Sequence, residues 1–91
     1  MLKFEWDESK ALGNAAKHGV TFQEAASVFG DPLAYCFNDP DHSVDETRLL
    51  TFGVSRKGRL LVVVHAEHGR GIRIISARVA TRSERKIYEQ G

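Results

Sequence analysis

The sequence predicts an α+β fold: an N-terminal strand and two helices, an antiparallel sheet of three to four further strands, and a short C-terminal helix. Three observations carry this. Helical periodicity, with start and stop signals, is confined to residues 8–29. Alternating or wholly apolar runs rich in β-branched residues fill residues 47–79. A helix-start signal then recurs at Thr81. The helices should cover one sheet face and leave the other partly open.

Leu2, Phe4 and Trp6 alternate with Lys3 and Glu5, the period of a half-buried strand. Asp7 offers a carboxylate to cap the helix that follows, in which Ala11, Leu12, Ala15 and Ala16 share one side. Gly19 stops it after Lys17-His18, where the helix dipole favours cations. Thr21-Phe22-Gln23-Glu24 reads as a capping box, with Val20 stapled onto Ala25. This second helix ends at Gly30-Asp31-Pro32. Leu33 to Phe37 is β-prone, with Cys36 read as a small buried hydrophobe, and a polar turn follows from Asn38 to Asp45. Thr47 to Val54 is a candidate strand. Arg56-Lys57-Gly58-Arg59 is a hairpin turn. Leu60 to Glu67, apolar on both faces at its start, is the central strand. His68-Gly69-Arg70-Gly71 is a second hairpin turn, and Ile72 to Val79 another strong strand. Thr81-Arg82-Ser83-Glu84 is a second capping box, opening a helix through Gln90.

The 91 residues leave room for one domain, residues 1–91. A formal net charge of +1 hides a division. Asp31, Asp39, Asp41, Asp45 and Glu46 make an acidic segment, whereas nine cations against Glu67 and Glu84 make residues 56–86 basic. Such a half can meet phosphates locally. One cysteine excludes an intrachain disulfide and favours a reducing compartment. The charged N-terminus is unlike a signal peptide, and no apolar run approaches the ~20 residues of a membrane span. Cytoplasmic residence is expected.

His65 and Glu67 lie two apart at the end of the central strand and so share a sheet face. The next strand brings Arg73 on one face and Arg78 on the other. A two- or four-residue loop pairs Glu67 with Ile72 and puts Ser76 and Arg78 beside the pair; a three-residue loop pairs Glu67 with Arg73. The residue types suit RNA cleavage without a metal. A 2′-hydroxyl must lose a proton, a 5′-oxygen must gain one, and the crowded phosphate wants guanidinium contacts. A solvated strand end is the plain structural alternative. Asp39, Asp41, His42 and Asp45 match no EF-hand or zinc spacing. Gly69 and Gly71 lack the helix of a phosphate loop.

Together these residues resemble the BrnT toxin family. The similarity runs through Phe4-Glu5-Trp6-Asp7-Glu8, Lys10, Asn14, Lys17-His18-Gly19-Val20, Phe22, Glu24-Ala25, Val28-Phe29 and Asp31-Pro32. It continues through Val62 to Glu67, Ile72 to Arg78, Ala80-Thr81, Glu84-Arg85 and Tyr88. The turn His68-Gly69-Arg70-Gly71 departs from it, being less charged than expected. The resemblance implies a RelE-like fold and a toxin of a type II toxin–antitoxin pair. It implies a metal-independent endoribonuclease that arrests growth, neutralised by a cognate ribbon-helix-helix antitoxin, with operator DNA bound only through that antitoxin. No cofactor, metal or membrane enters. The residues carried over are His65, Glu67, Arg73 and Arg78 as catalytic, with Lys57, Arg70, Arg82 and Tyr88 toward substrate. The alternatives are a non-catalytic corepressor module acting with a DNA-binding partner, and a metal-dependent nuclease built on the Asp39–Asp45 loop.

Overall fold

A computed structural model describes residues 3–39 and 47–90. In chain order the elements are β1 (Phe4–Glu5), α1 (Glu8–His18), α2 (Phe22–Ser27) continued by a 3-10 turn (Val28–Gly30), β2 (Tyr35–Asn38), β3 (Leu49–Val54), β4 (Leu60–His68), β5 (Gly71–Val79) and α3 (Arg82–Gln90). The sheet order is β1-β5-β4-β3-β2. Only β1 runs parallel to its neighbour, so the sheet is mixed. The N-terminal strand is shorter than its alternation suggests. Trp6 lies past it, edge-on to Phe22 at 5.9 Å between ring centroids.

The caps work as the sequence dictates. Asp7 accepts from the Ser9 and Lys10 amides at 2.9 and 3.1 Å, and Gly19 closes α1 at φ 69°. Around Thr81 the capping box is complete: its hydroxyl accepts from the Glu84 amide at 3.2 Å, and Glu84 Oε1 accepts from the Thr81 amide at 2.8 Å. The box at Thr21 is only half formed. Thr21 Oγ1 accepts from the Glu24 amide at 3.1 Å, but the Glu24 carboxylate turns inward. There it pairs with Arg59 and accepts from the Ser55 hydroxyl at 2.7 Å. Arg59 also donates to the Gly19 carbonyl at 3.0 Å. The β3–β4 turn is thereby pinned to the junction of α1 and α2.

The core joins the helices to one sheet face. Ala11, Val20, Phe22, Ala25 and Val28 pack on Leu61, Val63, Ile74 and Ala77. Asn14 is buried at this seam and satisfied. Its amide donates to the Val20 and Ala77 carbonyls at 2.9 and 2.8 Å, and its oxygen accepts from the Ala77 amide at 3.0 Å. Gly53 lies under the 3-10 turn, where an added Cβ would fall 2.6 Å from Val28 Cγ1. The second face carries Phe52, Leu60, Val62 and Ala66, all buried. Cys36, read from sequence as buried, is exposed, because β2 is an edge strand.

Candidate functional site: a cleft at the β4–β5 hairpin

The hairpin register decides which side chains meet. Gly69 and Arg70 form a two-residue turn, Gly69 at φ 61°. Glu67 therefore opposes Ile72, which is the first of the two registers open from sequence. The consequence drawn for that register does not hold. His65 pairs with Ile74 but Val64 with Ser76, leaving Ile75 as a bulge. One extra residue reverses the side-chain alternation beyond it. Ser76 and Arg78 thus join Val64 and Val62 on the outer face, not His65 and Glu67. Arg73, opposite Ala66, is on the outer face as well.

The sequence-predicted residues accordingly divide. His65, Glu67 and Arg70 line one cleft of about 540 Å³, whose walls include Phe29, Leu49, Thr51 and Ile72. Glu67 and Arg70 are exposed at its rim. His65 is 3% exposed on its floor. Its Nε2 lies 2.7 Å from Thr51 Oγ1, and its ring meets the Phe29 ring edge-on at 4.9 Å. Burial pushes its pKa down to about 4, so the imidazole is neutral at physiological pH. Its Nδ1 is buried and has no hydrogen-bond partner.

Arg73 and Arg78 belong to different surroundings. Arg78 grips Glu84 with two hydrogen bonds of 2.7 Å each. That guanidinium holds the Glu84 carboxyl down at about 2. Arg73 lines a separate cavity of about 230 Å³ with Arg48, Lys10 and Asp7. Continuing the β3–β4 ladder by one residue sets Arg48 across Ala66 from Arg73, a row on the outer face. Lys57 and Arg82 are exposed at the far end of β4, about 26 Å of strand away at about 3.3 Å per residue. The Tyr88 hydroxyl donates to Asp31 Oδ2 at 2.7 Å and so ties α3 to the chain entering β2. The acidic turn lies mostly outside the described residues, including Asp41, His42 and Asp45. Among the described residues, no three His, Cys, Asp or Glu side chains gather as metal ligands.

Three contributors escaped the sequence reading. Thr51 faces the cleft because it is the diagonal neighbour of His65 across β3 and β4. Phe29 reaches it because the end of the second helix tightens into a 3-10 turn. Arg48 lies one residue before β3, and only the register reveals its alignment with Arg73.

The family model of the ribonuclease toxin BrnT, of type II toxin–antitoxin systems, matches residues 6–84. The chain belongs to the BrnT family. Among solved structures it is similar to the ribonuclease toxin BrnT of Brucella abortus, determined at 1.1 Å. The two are 27% identical with a TM-score of 0.68, covering 90% of this chain and 100% of that one. No curated protein gives a significant match. Membership in BrnT brings RNA as substrate class and an antitoxin as partner. The α+β architecture is that of the Brucella BrnT. The matched stretch contains both residue groups and stops before Tyr88. No helix among the described residues is long and apolar enough to cross a membrane.

Proposed function

We propose that this BrnT chain is a metal-independent endoribonuclease that arrests growth until its antitoxin covers it, and that it cuts RNA at the β4–β5 cleft. The observation that carries the reading is the meeting of Glu67 and Arg70 on one concave rim. Glu67 is the accessible proton acceptor. His65 is buried, with its Nε2 engaged by Thr51, and shapes the floor instead. Glu67 takes the 2′-hydroxyl proton, and that oxygen attacks the adjacent phosphorus. Arg70 meets the charge that builds on the phosphate oxygens. The P–O5′ bond breaks, and the 5′-oxygen takes a proton from water at the open rim. The products are a 2′,3′-cyclic phosphate and a 5′-hydroxyl, which restricts the substrate to RNA.

A ribbon-helix-helix antitoxin, operator DNA bound through it and residence in the cytoplasm complete the proposal. They rest on family membership alone. A second reading has one observation in its favour: the row of Arg48 and Arg73, with Arg78 further along the same face, would place the scissile phosphate on the outer side of the sheet.

Purified chain incubated with RNA in excess chelator tests the proposal. Cleavage to the two stated ends is expected. Cleavage that appears only on adding a divalent cation contradicts it. RNA left intact, with tighter operator binding by the partner, would favour the corepressor role.

A further inference from the structure

We propose that the pole of the molecule opposite the cleft is a second RNA contact, which holds backbone phosphates of a strand whose reacting nucleotide lies in the cleft. This rests on the reading of the cleft as the cutting site and adds how a long substrate is held. Three elements far apart in sequence meet at this pole. The Arg59 guanidinium donates to the Gly19 carbonyl at 3.0 Å and joins the β3–β4 turn to the end of α1. The Ala80 amide donates to the Leu60 carbonyl at 2.9 Å and sets the start of α3 beside the same turn. Lys17 from α1, Arg56 and Lys57 from the turn and Arg82 from α3 are thereby carried to one end of the sheet, all exposed.

The acids of this region are already engaged. Glu24 is 1% exposed and paired with Arg59, and Glu84 is held by Arg78. Asp31 accepts from the Val54 amide and the Tyr88 hydroxyl. The side chains of Lys17, Arg56, Lys57 and Arg82 make no hydrogen bond or ion pair among the described residues. Charge is sorted the same way around α3. Glu84 and Tyr88, one turn apart, are its half-buried side chains and bond Arg78 and Asp31. Arg82, Arg85 and Lys86, spaced i, i+3 and i+4, share the other, exposed face, where Glu89 lies 3.9 Å from Arg85. Unopposed cations of this kind neutralise phosphates and read no sequence. The pole is about 26 Å of strand from the cleft, the length of β4 at about 3.3 Å per residue. That is roughly eight stacked nucleotides at about 3.4 Å each. A short RNA therefore fills the cleft alone, and a long one reaches both.

Binding of 2′-O-methyl RNA to the whole chain tests this, because it carries the phosphates without the attacking hydroxyl. The affinities of a tetranucleotide and of a strand of about 16 nucleotides are measured by fluorescence anisotropy between about 50 and 200 mM salt. The log–log salt slope of the longer strand should exceed that of the tetranucleotide by at least about 2, three phosphate contacts at about 0.7 each. Combining Arg56→Gln, Lys57→Gln and Arg82→Gln should lower that excess by about 2. Thermal melting should match wild type, since these side chains bond to nothing in the fold. If it does not, Lys17→Gln carries the test with its own step of about 0.7. Equal slopes for the two lengths, or a slope for the longer strand that the substitutions leave unchanged, would overturn the inference. So would tighter binding of duplex DNA through these residues, which would give the pole to operator DNA. Cleavage is scored separately. Full-rate cleavage by Glu67→Gln removes the cleft mechanism and leaves the slope result standing. An unchanged slope beside an inactive Glu67→Gln does the reverse.

Discussion

His65 shows how a single side chain can be legible in type and misread in role. A histidine two residues before a glutamate on a valine-rich strand invites an acid–base pair, and the shared face is real. Burial under Phe29 changes its chemistry, because the charged form is penalised where water is excluded. The folded protein protonates His65 only near pH 4, against 6.5 for the ordinary side chain. Between those values the unfolded chain binds a proton that the folded chain does not. Stability is therefore complete above about pH 6.5, falls as pH drops toward 4 and levels off below. The full loss is up to about 3 kcal/mol. Urea denaturation from pH 8 to 4 should show this slope, and His65→Phe should flatten it. An equal slope in the variant would assign the loss to other groups. Glu24 was equally opaque: Thr-x-x-Glu is the capping pattern, yet the carboxylate is 1% exposed and paired with Arg59. The partner lies 35 residues away, beyond the reach of any local pattern.

At the scale of elements, periodicity and caps were sufficient. Asp7, Gly19 and Thr81 mark helix ends in the structure as they do in the sequence, and β4 is central as its unbroken apolar run implies. The bulge at Ile75 was not legible. Ile74-Ile75-Ser76 carries no glycine or proline, and the extra residue emerges only from how β4 and β5 match over their length. That one residue moved Arg78 from the cleft to α3. Since α3 buries none of its side chains, its attachment depends on polar contacts such as Arg78–Glu84 and Tyr88–Asp31. Glu84→Gln should cost about 1 kcal/mol, a modest figure because Arg78 is 41% exposed and water screens the pair. The sign follows from the lowered carboxyl: this contribution is whole above about pH 4.5 and disappears as pH falls toward 2. Hydrogen exchange in α3 reports it directly, and unchanged protection in the variant would contradict the anchoring role. Gly53→Ala should cost about 1–3 kcal/mol, because the new methyl meets Val28 Cγ1 at 2.6 Å and the 3-10 turn must move. A denaturation midpoint equal to wild type would show that the turn yields freely.

For the molecule as a whole, the two sheet faces have different work. The helix side ends in a concave cleft with an acid, a cation and a shielded imidazole; the outer side carries arginines in a row. From sequence, regular alternation put Arg73 and Arg78 on opposite faces, so that one of them would join His65 and Glu67 whichever register held. The bulge at Ile75 shifts that alternation once and leaves both on the outer face. The proposed chemistry lies in the cleft, and Glu67 is the group on which it turns. The most direct measurement is single-turnover RNA cleavage by Glu67→Gln beside the wild type, in chelator, with thermal melts showing both folded. We predict a loss of about a hundredfold or more, the scale of a missing general base. Cleavage by Glu67→Gln at the wild-type rate would contradict the account and move the site to the arginine face.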